Sequence, residues 1–401
     1  MSSSGLTRRG FLKAGAVAGA AAAAVNVLAG CTNPGDESAT SDPVVVDSDA
    51  ATSVTETYAQ VDLPFAEASV WELPLGNVLH PSEGVWVPVT TAGASATPMV
   101  KASALSLASG NLFEVVPEPI TPVATEVIYN VRCSDSVYAW VELDYVTRSW
   151  NLYASSFSDG ALTGETVTLW TGDANFDPAQ FAVSGDAVLW QVQPSLSGTR
   201  TTESSHCYLW RAGSPDARVV VESLGRFATP PSISGGEAIV VPRVNAEEGV
   251  FYGITAYSLA DDLETRVDQL VLPQSVRPLR ATRIGERFVL SIEASYGSGG
   301  LLGTMGTYIG MGDNKFVMLS REPSECAAGK GDVFIIKSRS SYFVVNTEEQ
   351  TFSILSSADR SVDYGEFPAR AGECDTFVTF ATVKDADAGY PSHVVARAFS
   401  L

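Results

Sequence analysis

Four cysteines in the body of the chain are the residues with the most evident chemistry: Cys133, Cys207, Cys326 and Cys374. Outside the cytoplasm such thiols can form disulfides, and four cysteines allow three connectivities. No two of them form a C-x-x-C pair, which argues against zinc or thioredoxin-like chemistry. Cys326 and Cys374 precede equivalent strands of neighbouring repeats described below, so we prefer a disulfide between these two. Four separate buried thiols are the alternative.

Other chemical signatures are incomplete. Asp173, Asn175 and Asp177 alternate as calcium ligands do, but proline and serine stand where a turn glycine and a bidentate glutamate are required. The three histidines are scattered, and no G-x-S-x-G nucleophile motif occurs. We therefore predict no metal, no cofactor and no catalytic residue. Paired carboxylates from distant repeats would leave no local pattern, so an envelope glycan hydrolase or lyase is the alternative function.

The N-terminus carries two export motifs. Arg8 and Arg9, followed by Phe11 and Leu12, precede an apolar stretch rich in alanine, which is typical of a removable export peptide. These residues resemble the twin-arginine export signal, and the segment that ends in Cys31 resembles a bacterial lipobox. The resemblance implies a signal peptide over residues 1–30 and a lipid on Cys31. We therefore expect an extracytoplasmic lipoprotein, anchored through acyl chains to the outer side of the cytoplasmic membrane.

The charge balance excludes one class of partner. The chain has 46 acidic and 25 basic residues, a net charge of −21. Nucleic-acid binding depends on basic residues that neutralise phosphates, so no nucleic acid is expected as a partner. Residues 31–57 are rich in serine, threonine and aspartate and predict a disordered acidic tether. The folded domain is then residues 58–401, and we expect it to be a monomer.

Short β-rich runs recur along this domain. Seven of them begin 52, 50, 51, 49, 46 and 43 residues apart, and most follow an acidic residue with glycine or serine nearby, as expected of a turn. They start at Val85, Val137, Ala187, Ala238, Arg287, Val333 and Thr376. Repeats of this length built from short strands are typical of a β-propeller. We therefore predict an all-β, seven-bladed propeller, with six or eight blades as alternatives.

Two local ambiguities accompany this prediction. Four apolar residues between Leu259 and Leu270 have helical spacing, although a strand pair fits the repeat better. The chain also ends before the last blade is complete, so either Tyr58–Val61 or Val70–Leu73 is expected to supply its fourth strand and remove an open edge.

Over residues 60–401 the chain resembles the TolB-like and quinoprotein-like propellers of bacterial envelopes. The resemblance is architectural and carries over no functional residue. It favours a binding or scaffold module for a protein or glycan partner over an enzyme. Because loops carry binding, we place the candidate binding surface on three loops. These are the Tyr145–Trp150 turn with Arg148, the Pro194–Ser205 loop, and the Gly297–Gly312 loop flanked by Tyr296 and containing Tyr308.

Overall fold

The computed structural model describes residues 51–95, 98–246, 249–274, 276–293, 301–339, 341–355 and 366–401. Almost all of the regular structure in these ranges is β-strand. Helical structure is confined to a four-residue helix, α1 (Val54–Thr57), and a 3₁₀ turn at Leu301–Gly303.

The first 16 strands lie in the N-terminal half. They are β1 (Ala51–Ser53), β2 (Ala59–Gln60), β3 (Glu67–Pro74), β4 (Asn77–Leu79), β5 (Trp86–Ala92), β6 (Met99–Ser106), β7 (Leu112–Val116), β8 (Glu126–Cys133), β9 (Val137–Asp144), β10 (Trp150–Ser158), β11 (Ala161–Leu162), β12 (Val167–Gly172), β13 (Gln180–Ser184), β14 (Ala187–Val192), β15 (Ser205–Arg211) and β16 (Arg218–Ser223).

The remaining 17 strands follow in the C-terminal half. They are β17 (Ser232–Ser234), β18 (Glu237–Val240), β19 (Arg243–Ala246), β20 (Gly249–Ser258), β21 (Arg266–Val271), β22 (Arg280–Ile284), β23 (Arg287–Ile292), β24 (Gly306–Gly310), β25 (Phe316–Leu319), β26 (Ala328–Lys330), β27 (Val333–Lys337), β28 (Tyr342–Asn346), β29 (Thr351–Leu355), β30 (Phe367–Pro368), β31 (Gly372–Glu373), β32 (Thr376–Lys384) and β33 (Pro391–Ser400).

These strands form seven described sheets, which we number in chain order. Sheets 1, 2 and 3 are β4 to β7, β8 to β12 and β13 to β16, and sheet 4 is β17 to β21. Sheet 5 is β22 to β25 with β1, and sheet 6 is β26 to β29 with β2 and β31. Sheet 7 is β30, β32 and β33 with β3. Each of the seven predicted β-rich runs is the second strand of a different sheet.

Turn chemistry explains where the second strands begin. Gly185 and Gly285, which stand between the first and second strands of sheets 3 and 5, have φ angles of 53° and 56°. Tight hairpins require positive φ, which costs glycine least because it has no Cβ. The strand pair predicted around Leu259 is also confirmed, since β20 and β21 are antiparallel neighbours.

Hydrophobic clusters join each sheet to the next. The cluster around Tyr138 and Trp140 joins sheets 1 and 2, and others join each later sheet to its successor. A further cluster, which contains Leu79 and Val394, joins sheet 7 back to sheet 1. The sheets therefore pack face to face in a closed order, and the predicted all-β propeller fold is confirmed.

An early strand and the last strand of the described residues pair in sheet 7. Strand β3 pairs antiparallel with β33 over Glu67–Pro74, which is the second of the two predicted closures. The other candidate region lies in sheet 6, where β2 runs parallel to β29. The predicted tether boundary at residue 57 is wrong, because β1 extends sheet 5 and Val54 is fully buried. Apolar burial draws these residues onto the propeller.

Candidate functional site

The channel enclosed by the sheets contains a cavity. It has a volume of about 570 Å³, and its wall includes residues from or beside the first strands of all seven sheets. Pockets of 300 to 1,000 Å³ are the usual size for small-molecule sites. The wall is mixed in character: apolar residues such as Phe181, Ile233 and Phe367 alternate with charged ones.

The segment between β30 and β32, the first two strands of sheet 7, crosses this cavity. Strand β31 lies in this segment and pairs parallel with β26 of sheet 6. The backbone N–H of Glu373 donates to Ser234 Oγ of sheet 4 at 2.8 Å, and Glu373 Oε2 accepts from the N–H of Gly285 at 3.3 Å. Gly372 has a φ of 71°, and a Cβ there would lie 2.8 Å from that of Ser234. The segment therefore ties sheets 4 to 7 together across the channel.

Arg370 anchors the same segment to sheet 1. Its guanidinium is buried and donates to the carbonyl oxygens of Ser82 at 3.0 Å and Gly84 at 2.7 Å. It also donates to the carbonyl of Thr376 at 3.2 Å. Burial lowers the pKa of Arg370, and Cys374 and other nearby groups oppose this shift. These bonds to backbone oxygens give Arg370 a structural role.

Arg132 lies on the channel wall at the end of the first strand of sheet 2. Its Nη1 donates to Asn130 Oδ1 at 2.6 Å and to the carbonyl of Val131 at 2.7 Å. Its guanidinium carbon lies 5.8 Å from the centre of the Phe181 ring in sheet 3. No carboxylate among the described residues lies within 4.0 Å of it. Burial lowers the pKa of Arg132 to about 10, opposed by Glu325.

Glu325 and Arg280 form a loose ion pair elsewhere on the wall. The distance from Arg280 Nη2 to Glu325 Oε2 is 4.0 Å. Burial raises the pKa of the Glu325 carboxyl, while Arg280, Arg132 and Lys337 oppose that shift. Glu325, which precedes β26, and Arg132 of sheet 2 therefore line the same cavity without an ion pair between them.

A histidine completes the polar part of the wall. His80 Nε2 lies 2.9 Å from Thr90 Oγ1. Burial, assisted by the positive charge of Arg132, lowers the pKa of His80 to about 3. The imidazole is therefore neutral at pH 7 and offers hydrogen bonding without charge.

The predicted binding loops have mixed outcomes. Tyr145 is 54% exposed, and Arg148 lies in the same exposed turn with a φ of 62°. Trp150 and Tyr308 are both fully buried, so assigning them to a binding surface was wrong. Trp150 is the first residue of β10 and belongs to the hydrophobic cluster between sheets 2 and 3. Tyr308 lies within β24 and belongs to the cluster between sheets 4 and 5. Tyr296 lies outside the described residues.

The predicted disulfide is also contradicted, since Cys326 and Cys374 are both free. The parallel register aligns Ala328 with Gly372 and Gly329 with Glu373, which puts Cys374 level with Lys330. Four residues of strand span about 13 Å, whereas the Cα atoms of a disulfide lie within about 7 Å. Burial raises the pKa of both thiols to about 11.

No group of side chains suited to a metal occurs within the described ranges. In the D-x-N-x-D segment, Asp173 Oδ1 accepts the N–H of Asn175 at 2.8 Å, and Asp177 pairs with Arg226 at 2.7 Å. These carboxylates therefore stabilise a turn and an ion pair.

The N-terminal motifs lie outside the described residues. This applies to Arg8, Arg9, Phe11, Leu12 and Cys31. Within the described part of the chain, no helix is both long and apolar enough to cross a membrane.

The channel residues were missed by sequence reasoning. His80, Arg132, Arg280 and Glu325 each stand five to eight residues before one of the seven recurring runs. A charged or polar residue at that offset falls in or beside the strand before the run, which is the innermost strand of a propeller blade. The repeat therefore contained the signal, although the direction of each side chain did not follow from it.

The sequence matches no family model, and no curated protein matches it. Solved structures do match. The β-propeller domain of the Trilobed protease from Pyrococcus furiosus, described as having an open velcro topology, aligns with a TM-score of 0.50 and 10% identity. The alignment covers 76% of this chain and 91% of that one. At this identity the similarity shows the fold alone.

Two larger peptidases also align. An acylaminoacyl peptidase from Pyrococcus horikoshii has a TM-score of 0.48 and 8% identity over 78% of this chain and 49% of its own. A prolyl endopeptidase has a TM-score of 0.46 and 11% identity over 84% and 47%, respectively. The chain thus spans about half the length of these two proteins. The propeller fold is shared with peptidase propeller domains.

Proposed function

We propose that this protein is a lipid-anchored binding module of the bacterial cell envelope whose ligand site is the central channel of a seven-bladed ring. Seven sheets, linked in a closed order by seven hydrophobic clusters, support the blade number. The twin-arginine pattern and Cys31 support export and lipid anchoring at the outer side of the cytoplasmic membrane.

The observation that carries the binding role is the channel wall. A cavity of about 570 Å³ lined by Arg132, Arg280, Glu325 and His80 among apolar side chains combines a few directional polar groups with apolar surface, as ligand pockets do. The exposed Tyr145 and Val146 at one loop offer a second contact area, suited to a protein partner.

The alternative of a glycan hydrolase or lyase has no support. Glu83 and Glu373 on the channel wall accept N–H groups of Gly185 and Gly285, and Glu325 lies beside Arg280. Each of these carboxylates is thus engaged by the protein itself. We therefore propose binding without catalysis.

A channel-filling substitution tests the site. Ala182 lines the channel and is partly exposed, so Ala182→Trp should fill part of the cavity. Ala161, on an exposed edge strand of sheet 2, provides the matched control Ala161→Trp. In pull-downs from detergent-solubilised membranes, we expect Ala182→Trp to lose the partner or ligand that the wild type and the control retain. Equal recovery by all three proteins would place binding outside the channel.

The anchoring part of the proposal has its own test. Metabolic labelling with a radioactive fatty acid should mark the wild type and not Cys31→Ser. Replacing Arg8 and Arg9 by lysine should leave the precursor in the cytoplasm. Labelling of Cys31→Ser, or normal export of the double lysine variant, would contradict this part.

A further inference from the structure

Arg132 is a partly buried arginine on the cavity wall of an acidic protein. The chain has 46 acidic residues for 25 basic ones, and many of its arginines have a carboxylate within 4.0 Å. Among the described residues, Arg132 has only neutral oxygens of Asn130 and Val131 as partners. A partly buried cation on a cavity wall thus has no carboxylate within 4.0 Å among the described residues.

The surroundings of Arg132 fit a carboxylate. A guanidinium presents paired N–H donors whose spacing matches the two oxygens of a carboxylate. The ring of Phe181, 5.8 Å from the guanidinium carbon, packs beside it and limits its orientation. His80 lies nearby as a neutral group and adds no competing charge. The remaining wall contains Pro230, Pro231 and other apolar residues, which favour an organic ligand.

We infer that the channel binds a small organic carboxylate, whose anionic group pairs with the Arg132 guanidinium and whose carbon skeleton packs against the apolar wall. This inference rests on the proposed function, because it names the ligand class of the same site. Glu325, which interacts electrostatically with Arg132, opposes such an anion and limits the affinity.

Isothermal titration of the purified full chain in detergent tests this inference. The probes are succinate, its neutral diamide succinamide, and inorganic phosphate. We expect succinate to bind, succinamide to bind far more weakly, and phosphate not to compete. Losing a hydrogen-bonded charge pair typically weakens binding about tenfold or more, so Arg132→Gln should weaken succinate binding by at least that factor. Arg132→Lys keeps the positive charge but lacks the paired N–H donors of a guanidinium. Its affinity for succinate should lie between the affinities of the wild type and of Arg132→Gln.

Two further variants control for charge and folding. Arg321 is exposed and lies away from the channel wall, so Arg321→Gln removes the same charge and should leave succinate binding unchanged. Glu325→Gln should tighten binding because an opposing negative charge is removed. Urea unfolding of each variant verifies that its fold is retained.

The outcomes separate this inference from the proposed function. If succinate and succinamide bind equally and Arg132→Gln has no effect, the channel binds ligands without selecting carboxylates, and only the inference fails. The inference is overturned if phosphate binds and succinate does not. It is also overturned if no probe shows binding even when its concentration is raised well above millimolar. Loss of partner capture by Ala182→Trp would still support the channel as the site.

Discussion

Replacing Trp150 tests whether this residue belongs to the core or to a binding loop. Its side chain is fully buried between sheets 2 and 3, and its Nε1 donates to the carbonyl of Phe176 at 3.2 Å. The ring covers Gly172, where a Cβ would lie only 2.2 Å from Trp150 Cε2. Any side chain at position 172 would therefore overlap the indole.

The expected magnitude follows from this packing. Truncating a buried tryptophan to alanine costs about 3–5 kcal/mol, and leaving the Phe176 carbonyl without its donor adds up to about 1–3 kcal/mol. Trp150→Phe should cost less, because it loses the N–H and only part of the ring. Gly172→Ala alone should cost about 1–3 kcal/mol through overpacking. Combined with Trp150→Ala, which vacates the space, its cost should largely disappear.

Equilibrium unfolding in urea, with fluorescence and circular dichroism as probes, measures these free energies. Tyr145→Ala is the control, because Tyr145 is 54% exposed and surface substitutions usually stay within about 0.5 kcal/mol. The reasoning is refuted if Trp150→Ala unfolds within that margin of the wild type. It is also refuted if the Gly172 and Trp150 substitutions are additive, since contacting residues should show a coupling of about 0.5–3 kcal/mol.

Three other predictions address the fold and its ionisation. Burial raises the pKa of the Glu142 carboxyl above its ordinary 4.5. The protonated carboxyl therefore contributes to the free energy of unfolding below pH 4.5, and this contribution is lost as the pH rises through the pKa in the folded state. Glu142→Gln should flatten this decline in urea unfolding at successive pH values, and an unchanged slope would contradict it. Alkylation of unfolded protein without reductant should label both Cys326 and Cys374, whereas a linked peptide in the mass spectrum would show the disulfide. Leu73, 4% exposed in the closing strand, should lose about 2–5 kcal/mol on replacement by alanine. Val70→Ala on the same strand, 47% exposed, should have little effect, and equal losses would refute the closure.

The repeat allowed much of the fold to be predicted. A strand, a turn and a strand are local features, and seven similar runs at intervals of 43 to 52 residues could be recognised in the sequence. The strand pair near Leu259 was predictable only because the repeat outweighed a helical spacing. The tether boundary was wrong because β1 is too short to be recognised alone and is fixed by parallel pairing with β25.

The candidate site could not be predicted in the same way. Tyr145 and Trp150 stand five residues apart, yet the first is exposed and the second is fully buried. Aromatic residue type and loop length do not distinguish these environments, because burial depends on the neighbouring sheet. Likewise, neighbouring repeats suggested a pair between Cys326 and Cys374, and the register of β31 on β26 separates them.

The β-rich repeat and the N-terminal motifs could be recognised from the amino-acid order alone, because each consists of residues close together along the chain, and the acidic composition follows from the residue counts. Tertiary packing alone places β31 across the channel, completes the last sheet with β3, and brings Arg132 and Glu325 from distant sheets to the wall of one cavity. The physical reason is that a ring brings together residues hundreds of positions apart. Their contacts depend on sheet register and on the packing of blades against one another, which local sequence patterns do not encode.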